Sequence, residues 1–125
     1  MTDTADAITP ALRELVSADL VAFAGVGLIS RVLPVTEAYR TLDAAVARDG
    51  AALRPRIEWL LANATPAGKV YAATLMQRLD PVAGRAAWQS LAKEPAEITT
   101  FVGCVMNKTS LSEYVGDRLS GLSVE

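Results

Sequence analysis

The chain has 125 residues, 51% of them hydrophobic, and a formal net charge of -2, enough for one independent core. Its single cysteine, Cys104, and its lack of histidine exclude an internal disulfide and remove the commonest metal ligand and catalytic base. Twelve Lys and Arg against 14 Asp and Glu argue against nucleic acid, because phosphate binding needs clustered cations.

Asp3 and Asp6 stand where a secretory signal would carry positive charge, so a cytoplasmic chain is expected, with residues 1–8 as a disordered tail. Thr9-Pro10 places a capping oxygen before a proline at a first helical position and predicts a helix over 10–17. Over 19–31, apolar residues occupy every angle, among them Leu20, Phe23, Val26 and Ile29. That pattern predicts a helix covered on most sides. The uncharged run within it, residues 20–30, is too short for a membrane span of about 20 residues. Over 35–48, Ala38, Tyr39, Leu42, Ala45 and Val46 share one side, and Glu37, Arg40, Asp43 and Arg48 the other. This is a one-sided surface helix.

Gly50 reads as a helix stop, and a further helix is expected over 52–63. There Ile57, Leu60 and Leu61 share a face, and Trp59 points roughly 180° away. Trp59 is therefore either packed under an adjacent layer or exposed as an interface anchor. Thr65-Pro66 and Asp80-Pro81 start helices over 66–79 and 81–93. Trp88, at the edge of the Gly84, Ala87 and Leu91 face, is expected in the core. Residues 98–106, ITTFVGCVM, are β-branched and predict a short extended segment packed on the helices. Ser110 with Glu113 is a capping box that opens a last helix over 111–121. The pattern predicts a single all-α domain over 1–125, a compact stack of about seven helices in antiparallel hairpins.

Residues 53–95, LRPRIEWLLANATPAGKVYAATLMQRLDPVAGRAAWQSLAKEP, resemble HEAT-like helical repeats. A helix ends in Leu79, Asp80-Pro81 makes the turn, and a second helix closes with Leu91-Ala92 and a charged turn. The resemblance covers about a third of the chain. No second copy follows at the roughly 40–47-residue period of such arrays, and Lys69 stands where the repeats often carry arginine. The ATPAGKVYAA block and the later VGC segment are also similar to small bacterial helical proteins without assigned activity. The resemblance implies a HEAT-like stack that binds protein on an exposed helical surface.

Chemical motifs are weak. Gly25 and Gly27 lack the third glycine, replaced by Ser30, and the strand-turn-helix context of a dinucleotide loop. The ATPAGK stretch at 64–69 lacks the first glycine of a phosphate loop, and Val70 replaces the magnesium-binding hydroxyl. Cys104 has no histidine to activate it and reads as a buried thiol. Asp43, Glu58, Asp80 and Glu94 fall on separate predicted helices or turns, so the sequence neither builds nor excludes a carboxylate site.

These features point to a non-enzymatic protein-binding domain with no cofactor or metal and with neither nucleic acid nor membrane as partner. The most concrete reading is a bacterial immunity protein that neutralises a basic toxin domain by direct binding. An acidic inhibitor would gain a steered association rate. Glu37, Asp43, Glu58 and Trp59 are the expected partner-binding residues. An adaptor subunit in a larger assembly is the alternative, and a histidine-free enzyme the third reading.

Overall fold

Helix capping and proline placement organise the middle of the chain much as the sequence predicts. The computed structural model describes residues 3–23, 33–102 and 105–124, with side chains over 7–23, 33–101 and 105–119. The elements run α1 (Asp3–Val16), α2 (Pro34–Asn63), α3 (Pro66–Leu79), α4 (Pro81–Leu91), β1 (Glu97–Val102), β2 (Val105–Ser110) and α5 (Leu111–Val124). Thr65 caps α3 by accepting the Gly68 N–H at 3.1 Å. Asp80 caps α4 by accepting from the Val82 and Ala83 N–H groups at 3.1 and 3.3 Å. Ser110 Oγ accepts the Glu113 N–H at 3.1 Å and donates to its carboxylate at 3.3 Å. Each bond from a backbone N–H satisfies a donor that the first helical turn leaves without a partner.

The expected start at Pro10 is corrected. Residues 3–8, expected as a disordered tail, belong to α1, and Pro10 lies inside it. Ile8, Leu12 and Leu15 are buried and form one stripe through the proline. Burial of that stripe outweighs the roughly 3 kcal/mol that an interior proline costs a helix.

The break expected at Gly50 is found one residue earlier, inside α2. Asp49 has non-helical backbone angles, φ -155° and ψ 73°, and its carboxylate accepts the Ala52 N–H at 3.4 Å. It therefore caps the second half of α2. The two halves run along α3 in opposite senses. In the first, Tyr39 stacks near Tyr71 and Asp43 meets Arg78. In the second, Arg54 meets Asp80, and the chain then turns at 64–65 into the start of α3. α3 is thus the central helix, with α4 on its other side. Its residues Val70, Tyr71, Ala72, Ala73 and Leu75 have no exposed surface. Trp88 is buried against this core, as expected, with 1% exposure.

Two expectations fail. The first is the helix over 19–31. Its described part, residues 19–23, is not helical, and residues 24–32 lie outside the described residues. The side chains of other elements account for this. Tyr71, fully buried, accepts the Ala22 N–H at 2.7 Å through its hydroxyl and donates to the Leu20 carbonyl at 3.2 Å. Thr36 donates to the Ala22 carbonyl, and Thr65 to that of Ala18 just before the segment, each at 2.5 Å. Val21 then pairs with β1 through bonds to Thr99 and Phe101 at 2.7 and 2.8 Å. These partners satisfy the backbone polar groups that a helix would otherwise have satisfied.

The second is the purely helical stack. The extended segment expected near 98–106 is the larger part of a β-hairpin, β1 and β2, paired antiparallel from Glu97↔Ser110 to Val102↔Val105. Five helical elements and this hairpin, among the described residues, replace the expected seven helices. The fold is mostly helical and carries this one small antiparallel hairpin among the described residues. Cys104, expected as a buried thiol, and the Gly25, Gly27 and Ser30 positions lie outside the described residues.

Candidate functional site

Three of the four expected partner-binding residues have structural partners or positions that account for them. Glu37 lies in the first turn of α2, where the helix dipole favours a carboxylate. Asp43 lies with both carboxylate oxygens 3.0 Å from Arg78 Nη1, and only Oδ2 is hydrogen-bonded. Glu58 accepts from Arg54 Nε at 3.3 Å, an i,i+4 pair. Arg54 also donates from Nη1 to Asp80 at 3.0 Å. Capping N–H groups and this guanidinium hold the Asp80 carboxyl below its ordinary range.

Trp59 has no such account. Leu53, Ile57 and Leu60 take the buried face of the second half of α2, and Trp59 stands opposite, 50% exposed. Its backbone carbonyl accepts from Asn63 Nδ2 at 2.8 Å. Among the described residues its indole N–H has no partner and its ring stacks on no other. The structure resolves the open alternative in favour of exposure. Val82, at the start of α4, is 82% exposed.

The four residues do not converge on one spot. Glu37 borders a shallow groove of about 330 Å³ between α1 and α2, with Glu14 on its other wall. Neither Glu14 nor Glu37 has an ion-pair partner among the described residues. Asp43 and Glu58 instead flank a second groove, through the arginines they hold. This groove, of about 430 Å³, opens where α2 breaks. Its walls are Val46, Ala47, Ala51 and Leu79, with Arg54 and Arg78 at its border. A Cβ at Gly50 would meet Leu79 only at 3.5 Å, so glycine leaves the groove floor open.

The sequence reading did not single out Arg54, Arg78 or Val82. The i,i+4 spacing of Arg54 and Glu58 was a local signal for one pair. The Asp43 pairing with Arg78 spans 35 positions and had none.

Three tyrosines gather on the inner side of α2, α3 and α5. Tyr39 and Tyr71 pack with Phe23, with ring centroids 4.9 Å (Phe23–Tyr39) and 5.1 Å (Phe23–Tyr71) apart. Tyr114 stacks near Trp88 at 6.3 Å, and the Arg118 guanidinium lies 5.2 Å from the Trp88 ring centroid. Burial raises all three phenols, with Asp43 adding to the effect on Tyr39, and Tyr71 is pushed up to about 12. Neutral phenols serve here as packing and hydrogen-bonding groups. No group of three or more His, Cys, Asp or Glu side chains among the described residues is placed to hold a metal ion, and no described helix is long and apolar enough to cross a membrane.

Comparison of the chain with protein-family models, with curated proteins and with solved structures finds no match.

Proposed function

We propose that this chain is a protein-binding module and, in its most concrete form, an immunity protein that neutralises a basic toxin domain by direct binding. The observation that carries the reading is Trp59, half exposed on a helix whose opposite face supplies the core. Burying a tryptophan this exposed is among the larger gains a protein interface can make. Trp59 anchors the contact, and the exposed Glu58 beside it adds negative charge at its edge. Glu37, with no ion-pair partner among the described residues, is free to steer a basic partner.

The test starts from the native host. The chain captures a toxin domain encoded beside it, and co-expression protects cells from that toxin. Trp59→Ala lowers the affinity by about tenfold or more, consistent with a hot-spot loss of roughly 2 kcal/mol. Capture of a stable multi-subunit assembly instead would replace the immunity reading with the adaptor reading. Unchanged affinity of Trp59→Ala for whatever partner is captured overturns the assigned surface.

A further inference from the structure

The groove at the α2 break combines features that the partner-binding surface does not use. Its lining holds two cations, Arg54 and Arg78, and no anion. The acids that hold these arginines, Asp43, Glu58 and Asp80, are absent from the lining. A guanidinium has five N–H donors. Arg54 uses Nε and Nη1 on its own carboxylates, and Arg78 uses Nη1. Both Nη2 groups, and Arg78 Nε, have no partner among the described residues.

The carboxylates therefore orient each guanidinium and leave part of its donor edge unspent. Arg54 and Arg78 keep 40% and 50% of their side-chain surface exposed. The remaining wall, Val46, Ala47, Ala51 and Leu79, is aliphatic. Two oriented guanidinium edges match the oxygens of a carboxylate or phosphate, and the aliphatic wall matches a short hydrocarbon body.

We infer that the groove at the α2 break is a binding site for a small amphiphile with one anionic head, a carboxylate or a phosphate monoester, on a short apolar chain. The head is held between Arg54 and Arg78, and the chain lies on Val46, Ala47 and Leu79. A ligand of about eight heavy atoms in so open a groove binds with a dissociation constant on the order of 1 mM.

Amide NMR titration of the full chain at neutral pH tests this, with hexanoate, hexyl phosphate, inorganic phosphate and hexylammonium as probes. Hexanoate or hexyl phosphate shifts the Gly50 and Ala51 amides, and the tighter of the two identifies the head group. Hexylammonium leaves those amides in place, and inorganic phosphate binds about tenfold more weakly than hexyl phosphate. The Arg54→Gln/Arg78→Gln variant weakens binding by about tenfold or more. Ala47→Phe fills the groove while keeping both arginines, so it abolishes binding even if the arginine variant fails to fold. The inference is overturned if neither organic anion moves Gly50 by about 10 mM, roughly ten times that constant. An equal response to hexylammonium, or unchanged binding in Ala47→Phe, overturns it as well.

Discussion

Tyr71 shows how one side chain decides the path of a distant segment. Its hydroxyl accepts the Ala22 N–H and donates to the Leu20 carbonyl, about fifty positions away in sequence. Tyr71→Phe leaves that N–H buried without a partner and costs roughly 1–3 kcal/mol, measured by urea unfolding at pH 7. The phenol also sets an alkaline limit. Its folded-state pKa of about 12 lies above the ordinary tyrosine value of 10.0. Between these values the unfolded chain has lost the proton and the folded chain keeps it, so stability falls as pH rises. The contribution is complete below pH 10 and is lost by about pH 12, a change on the order of 3 kcal/mol. Unfolding curves at pH 9 and pH 11.5 should differ less for Tyr71→Phe than for the wild type. A residual difference persists, because burial also raises Tyr39 and Tyr114. None of this was legible in the sequence, because helical period carries no information about which distant backbone groups a tyrosine hydroxyl meets.

At the scale of the element, close approach between helices distinguishes otherwise similar glycines. A Cβ at Gly84 of α4 would collide with the backbone of Gln77 in α3. Gly84→Ala therefore forces the two helices apart and costs roughly 1–3 kcal/mol. Gly116 of α5 is exposed, and a Cβ there meets nothing within 4 Å. Gly116→Ala should stabilise by up to about 1 kcal/mol, because alanine has less backbone freedom to lose on folding. Thermal melts of the two variants should move in opposite directions, and a shared sign would contradict the α3–α4 contact described above. Capping was the most legible part of the elements. Thr65-Pro66, Asp80-Pro81 and Ser110 with Glu113 all cap helices as read, because capping is settled within four residues. The α2 break was legible to within one residue, at Asp49 instead of Gly50. The hairpin was legible over β1, whose β-branched run is dense. It was missed over most of β2, where the exposed Asn107 and Lys108 give no alternation to read.

At the scale of the whole molecule, the chain has two unlike surfaces on α2. One is the protruding Trp59, and the other the arginine-lined groove at the break. If the proposed partner is basic, association with it weakens with salt. Raising ionic strength from 50 to 500 mM should lower the association rate by about tenfold, with a smaller effect on dissociation. Glu37→Lys lowers that rate further without changing stability by more than about 1 kcal/mol, since at most the first-turn dipole contact is lost. Stopped-flow binding at two salt concentrations separates these effects from the loss of the Trp59 anchor.

Of the candidate site, the sequence made the orientation of Trp59 legible but not its exposure. A position opposite the buried stripe is protected only if another layer covers it, and helical period carries no information about the next layer. The charges divide in the same way. Glu58 has its partner one helical turn away, whereas Asp43 finds Arg78 only because the first half of α2 lies along α3. By itself, then, the sequence determined a mostly helical fold, its capped helix starts, the burial of Trp88 and the break in α2. All of these depend on contacts a few residues apart or on the apolar period of one helix. The non-helical path of residues 19–23, the pairing of Val21 with β1, the exposure of Trp59 and the groove between Arg54 and Arg78 were decided only by tertiary structure. Each depends on groups brought together from distant parts of the chain, and local sequence periodicity does not encode which distant groups meet.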